Sequence, residues 1–166
     1  MRSFVRGALF GSAIAVGLAA GGAGAVTPPD AFLAALVGPW GKSTASGELL
    51  KEVVVDKTGR ITATRASCPD GGLATPKEMV GNEVWYELRP DGRFGSYTSR
   101  APTKLSELTF IRLEGADVAV FYFSSPPRGA NAVMAITRLA PDRIRVSITL
   151  AGATTETHYI RCKRNA

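Results

Sequence analysis

Apolar side chains recur at every second position through much of this chain. Ile144, Val146, Ile148 and Leu150 share one side of an extended segment, while Arg143, Arg145, Ser147 and Thr149 share the other. The same division sets Val84, Tyr86 and Leu88 against Glu83, Trp85 and Glu87, and Phe94, Ser96 and Thr98 against Arg93, Gly95 and Tyr97. Runs of β-branched and aromatic residues predict strands over 49–56, 60–65, 83–88, 93–98, 108–113, 118–123, 133–139, 143–150 and 155–162. Segment 118–123 is apolar on both faces and is left without an inward set. Most neighbours are joined by short turns such as Lys57-Thr58-Gly59, Pro90-Asp91-Gly92 and Ala151-Gly152-Ala153, which hold the Gly, Asp or Pro that tight hairpins require. Parallel pairing needs crossovers of a dozen or more residues, and no such gap follows residue 108, so the strands are expected to pair antiparallel in chain order.

Helical spacing occurs once after residue 25. Thr27-Pro28-Pro29-Asp30 has the form of a helix start, Phe32, Leu33, Leu36 and Val37 make one apolar face, and Gly38-Pro39 ends it. So short a helix needs a larger body to rest on. The expected fold is all-β: an antiparallel up-and-down meander closed as a small barrel of about eight to nine strands, preceded by that one short helix. Closure hides the dry faces and leaves no free edge; a two-sheet sandwich is the alternative. One connection, 67–82, is long and contains the capping-box pattern Thr75-Pro76-Lys77-Glu78. If the barrel is hollow, this loop is expected at its mouth.

The composition, 45% hydrophobic and 20% charged, is that of an ordinary folded domain. The net charge of +6 changes meaning once the first residues are read. Arg2 and Arg6, an uncharged run over 7–22 and Ala23-Gly24-Ala25 form a signal-peptide pattern with cleavage expected before Val26. That divides the chain into a leader, residues 1–25, and a single barrel domain, residues 26–166, with periplasmic or secreted localisation and no integral membrane span after cleavage. The remaining basic surplus has one cluster, 161–164, so nucleic acid is not an expected partner. Cys68 and Cys162 both lie in the exported part, and a pair of cysteines in an oxidising compartment reads as one disulfide.

Catalytic patterns fail on their context. Gly41-Lys42-Ser43-Thr44 resembles the end of a phosphate-binding loop, but Leu36 stands where its first Gly is required. His158 is the one imidazole, and no nucleophile-elbow pattern accompanies it. One His and two Cys supply no close metal-ligand spacing. No enzyme activity, metal or cofactor is therefore expected.

Gly38-Pro39-Trp40 stands after the short helix and before the strand runs, and in this position the chain resembles the lipocalin-like, or calycin, barrels. The resemblance implies that Trp40 plugs one barrel end under a basic side chain of the last strand, Arg161 or Lys163. It departs from true lipocalins in having no Thr-Asp-Tyr triplet and no helical pattern after the last strand run. Short bacterial periplasmic barrels that inhibit metalloproteases or lysozymes are similar in plan. The function expected is an exported, non-catalytic binding protein, most simply a carrier of a small apolar ligand; the alternative is an envelope protein-protein module such as a protease or lysozyme inhibitor. The inward set proposed to meet a ligand is Val84, Tyr86, Phe94, Ser96, Val146 and Ile148, with the same side chains simply filling the interior as the competing outcome.

Overall fold

Helix α1 (Pro28–Leu36) buries Phe32, Leu33 and Leu36 and is stopped by Gly38, whose φ of 116° disfavours a residue with a side chain. The fold is a computed structural model describing residues 28–123 and 132–164; the expected leader and Thr27 lie outside the described residues. Ten strands follow: β1 (Gly38–Ser43), β2 (Lys51–Val55), β3 (Ile61–Ala66), β4 (Glu83–Leu88), β5 (Phe94–Thr98), β6 (Ala101–Glu114), β7 (Val118–Phe123), β8 (Ala132–Ala140), β9 (Arg143–Leu150) and β10 (Ala153–Arg161). Eight of them close an antiparallel barrel. Strands β4 to β10 run around the wall in chain order, and β1 fills the remaining gap between β4 and β10. The all-β class, the antiparallel meander, its closure and the single preceding helix are as the alternation predicts; the sandwich is not formed.

Three expectations are corrected. Gly38-Pro39-Trp40-Gly41 reads locally as a helix stop, yet it is the strand that closes the barrel, because Pro39 needs only its carbonyl here, accepting from the Cys162 N–H at 3.0 Å. Strands β2 and β3, expected in the wall, instead form a separate two-stranded hairpin. It leaves Val53 51% and Ile61 63% exposed. Strand β6 begins at Ala101, earlier than its apolar run, because Pro102, Thr103 and Lys104 carry no alternation to read.

The barrel is packed solid at the α1 end. Phe94 stacks on Tyr86 at 5.7 Å and on Phe121 at 5.5 Å, Phe110 meets Phe121 edge-on at 5.9 Å, and Ile136 and Ile144 complete the layer beneath the helix. A second apolar cluster lies outside the wall. The 67–82 loop folds against the outer face of β4 and β5, where Leu73 and Met79 cover Trp85 and Tyr97. The outward face of β4 is therefore covered over Glu83 and Trp85, contrary to the wet face these residues suggest in sequence, while Glu87 at the far end stays half-exposed and pairs with Arg89. The Cys68–Cys162 disulfide fastens this loop to the end of β10. Gly41 packs directly beneath it: a Cβ there would collide with Cys68 Sγ and stand 2.9 Å from Leu49. Among the described residues no helix is long and apolar enough to cross a membrane.

Candidate functional site

The half of the barrel away from α1 holds a cavity of about 530 Å³ that opens to solvent at a rim including Glu52, Val80 and Arg100, within the usual range of about 300–1,000 Å³ for small-molecule sites. Alternation decides what faces it. Trp40 and Lys42 are two apart on β1, so the strand that buries the indole at the closed end aims the ammonium into the open half. Val84 and Tyr86 enter from β4, Ser96 from β5, Val146 and Ile148 from β9, and Tyr159 from β10. Phe123 and Met134 come from β7 and β8. Five of the six proposed ligand residues, Val84, Tyr86, Ser96, Val146 and Ile148, line this space. Phe94 does not: it lies below the floor, between Tyr86 and Phe121.

The wall is divided lengthwise. Neighbouring strands β7, β8 and β9 contribute Phe123, Met134, Val146 and Ile148, an apolar arc. Neighbouring strands β10, β1, β4 and β5 contribute Tyr159, Lys42, Tyr86 and Ser96. Lys42 stands across the ladder from Tyr159, and Tyr86 across from Ser96. None of these four side chains has a hydrogen-bond or ion-pair partner among the described residues. Burial pushes the Tyr86 phenol well above the ordinary phenol value, and the neighbouring Tyr159 pushes it further; burial raises Tyr159 as well. Both phenols stay protonated, as donors, at neutral pH.

Among the described residues Glu83, 3% exposed, is the one charged residue that is buried. It sits at the start of β4, with Oε1 accepting from the Cys68 N–H at 3.2 Å and Oε2 from the Gly81 N–H at 2.7 Å. It thereby ties both ends of the 67–82 loop to the barrel. That loop is not a lid over the mouth; only Val80, Gly81 and Asn82 reach the cavity rim. The sequence hid this role because a surface carboxylate and a buried one look alike until the loop is placed.

At the opposite end, Trp40 is 1% exposed and donates Nε1–H to the Leu36 carbonyl at 2.8 Å. The Arg161 guanidinium lies 4.1 Å over the indole ring, donates to the Val37 carbonyl at 3.0 Å and also reaches the Ala35 carbonyl. Burial, with the charge of Arg164 added, lowers its pKa. Lys163, the other basic candidate, is exposed and contributes its carbonyl to the Leu73 N–H at 3.1 Å. His158 alternates with the inward Tyr159 and so faces out of the barrel. No group of His, Cys, Asp and Glu suited to a metal ion occurs among the described residues. No family model, curated protein or solved structure matches the chain.

Proposed function

We propose that this protein is an exported binding protein that holds a small, mainly apolar ligand in the open half of its barrel. The observation that carries the reading is the cavity itself: about 530 Å³, apolar along one arc, with a few convergent polar groups on the other, the composition expected of a small-molecule site. The outward placement of His158 supports binding over catalysis, since the one imidazole is turned away from the cavity. Export is supported by the leader pattern of residues 1–25 and by the disulfide that an oxidising compartment permits.

Native mass spectrometry of the exported protein, before and after extraction under mild denaturant, tests the ligand directly. A co-purifying small molecule, or saturable binding of apolar fluorescent probes after extraction, is the expected result. A mature chain starting at Val26 with no titratable thiol is expected in the same spectra. If nothing is extracted and no probe binds, the carrier reading fails. A protein-protein role then gains, because the β2–β3 hairpin holds Val53 and Ile61 exposed outside the barrel.

A further inference from the structure

We infer that the ligand carries an oxyanion, a carboxylate or a phosphate ester, seated against Lys42, Tyr159, Tyr86 and Ser96. This rests on the reading of the cavity as a binding site and specifies the chemistry that the site takes. Four observations combine. The four side chains come from adjacent strands, β10, β1, β4 and β5, and face one space. They stand as two cross-strand pairs, Lys42 with Tyr159 and Tyr86 with Ser96. None is hydrogen-bonded or ion-paired within the described protein, and Tyr86 and Ser96, buried as residues, keep their hydroxyls open to the cavity, where a ligand can meet them.

The fourth observation is that every member of the set can donate. An ammonium offers three N–H donors and no acceptor, and a hydroxyl offers one O–H donor. Phenols kept neutral by burial remain donors and add no negative charge. A convergent set of donors with one fixed positive charge is complementary to a group that accepts several hydrogen bonds and carries negative charge. The carboxylates near the rim do not complete the set. Glu83 spends both oxygens on the Cys68 and Gly81 amides. Glu52, on the hairpin, lies against Gly81 and forms no ion pair with Lys42. The apolar arc of β7 to β9 takes the hydrocarbon part of the same molecule.

The experiment compares decanoate, decyl phosphate and decanol by titration calorimetry on the mature, disulfide-bonded protein. These three probes share a chain and differ in the head group. Tighter binding of an anionic probe than of decanol, by about tenfold or more, is expected from hydrogen bonds to a charged group, and the tighter of the two anions identifies the head group. Lys42→Met is expected to bring the anion-to-alcohol ratio close to one, and the near-isosteric Tyr86→Phe to lower it severalfold. Lys77→Met, outside the barrel in the loop, is expected to leave the ratio unchanged. Equal affinity for all three probes overturns the oxyanion assignment while leaving the cavity as a binding site. An unchanged ratio in both Lys42→Met and Tyr86→Phe overturns it too. Binding of none of the three overturns the assignment together with the reading beneath it.

Discussion

Trp40 is held from three directions: its indole N–H is tied to the Leu36 carbonyl, its ring lies beneath Arg161, and its edge meets the packed layer under α1. Truncation removes a fully buried aromatic and strands a carbonyl, so Trp40→Ala is expected to cost about 3–5 kcal/mol in urea unfolding. Arg161→Lys keeps the charge but loses the fork that spans the Ala35 and Val37 carbonyls, and is expected to lower the melting temperature as well. Glu83 offers a second test at this scale. Replacing it by Ala leaves the Cys68 and Gly81 amides without their acceptor in a buried site, an expected loss of about 1–3 kcal/mol. Faster hydrogen exchange confined to those two amides and their neighbours would locate the effect.

Among the elements, the 67–82 loop and the β2–β3 hairpin invert what their sequences suggest. The hairpin has the better strand pattern and stays outside the barrel, whereas the loop has little pattern and covers Trp85 and Tyr97. Cys68–Cys162 spans 94 positions, and in the chain-entropy model so long a closed loop contributes up to about 4–5 kcal/mol by restricting the unfolded chain. Replacing both cysteines by Ser is expected to lower stability within that limit. It is also expected to shift tryptophan emission to longer wavelength as Trp85 gains water while Trp40 stays covered. An unshifted emission would show that Leu73 and Met79 hold the loop without the bridge.

For the whole molecule, the barrel is two volumes in series, one filled and one open. Deleting a side chain from the filled half creates a new void, while deleting one from the open half enlarges a space already there. Phe94→Ala is therefore expected to destabilise by about 3–5 kcal/mol, and Ile148→Ala by distinctly less, with denaturant midpoints as the measure. The buried phenols give the barrel a defined response to base. Their folded pKa lies above the ordinary value of about 10, so above that pH the unfolded chain releases protons that the folded one keeps. Stability from Tyr86 and Tyr159 is complete below pH about 10 and is lost as the pH rises past it. The check is a falling urea midpoint between pH 9 and pH 11, with phenolate absorbance appearing only on unfolding for these two residues.

Alternation along β4, β5 and β9 was enough to determine antiparallel strands with one dry face and to place Val84, Tyr86, Ser96, Val146 and Ile148 on it, because the two-residue period of a strand is a local property. Closure as a barrel rather than a sandwich was decided by the pairing of β1 with both β4 and β10. The cysteine count determined the disulfide for a similar reason, since only one pairing is available within the chain. Tertiary structure decided what depends on distant partners. Gly38–Ser43 becomes a strand because β4 and β10 leave a gap of one strand between them, and no residue near Pro39 records that gap. Trp85 is dry because Leu73 and Met79 arrive from a loop fastened at Cys162, so its burial is set by residues far along the chain. The cavity likewise exists because Trp40, Phe94, Phe110, Phe121 and α1 fill one end of the barrel, while at the other end Phe123, Met134, Val146, Ile148 and Tyr159 line the wall without meeting across it. That balance of volume belongs to the closed wall and to no single segment of it.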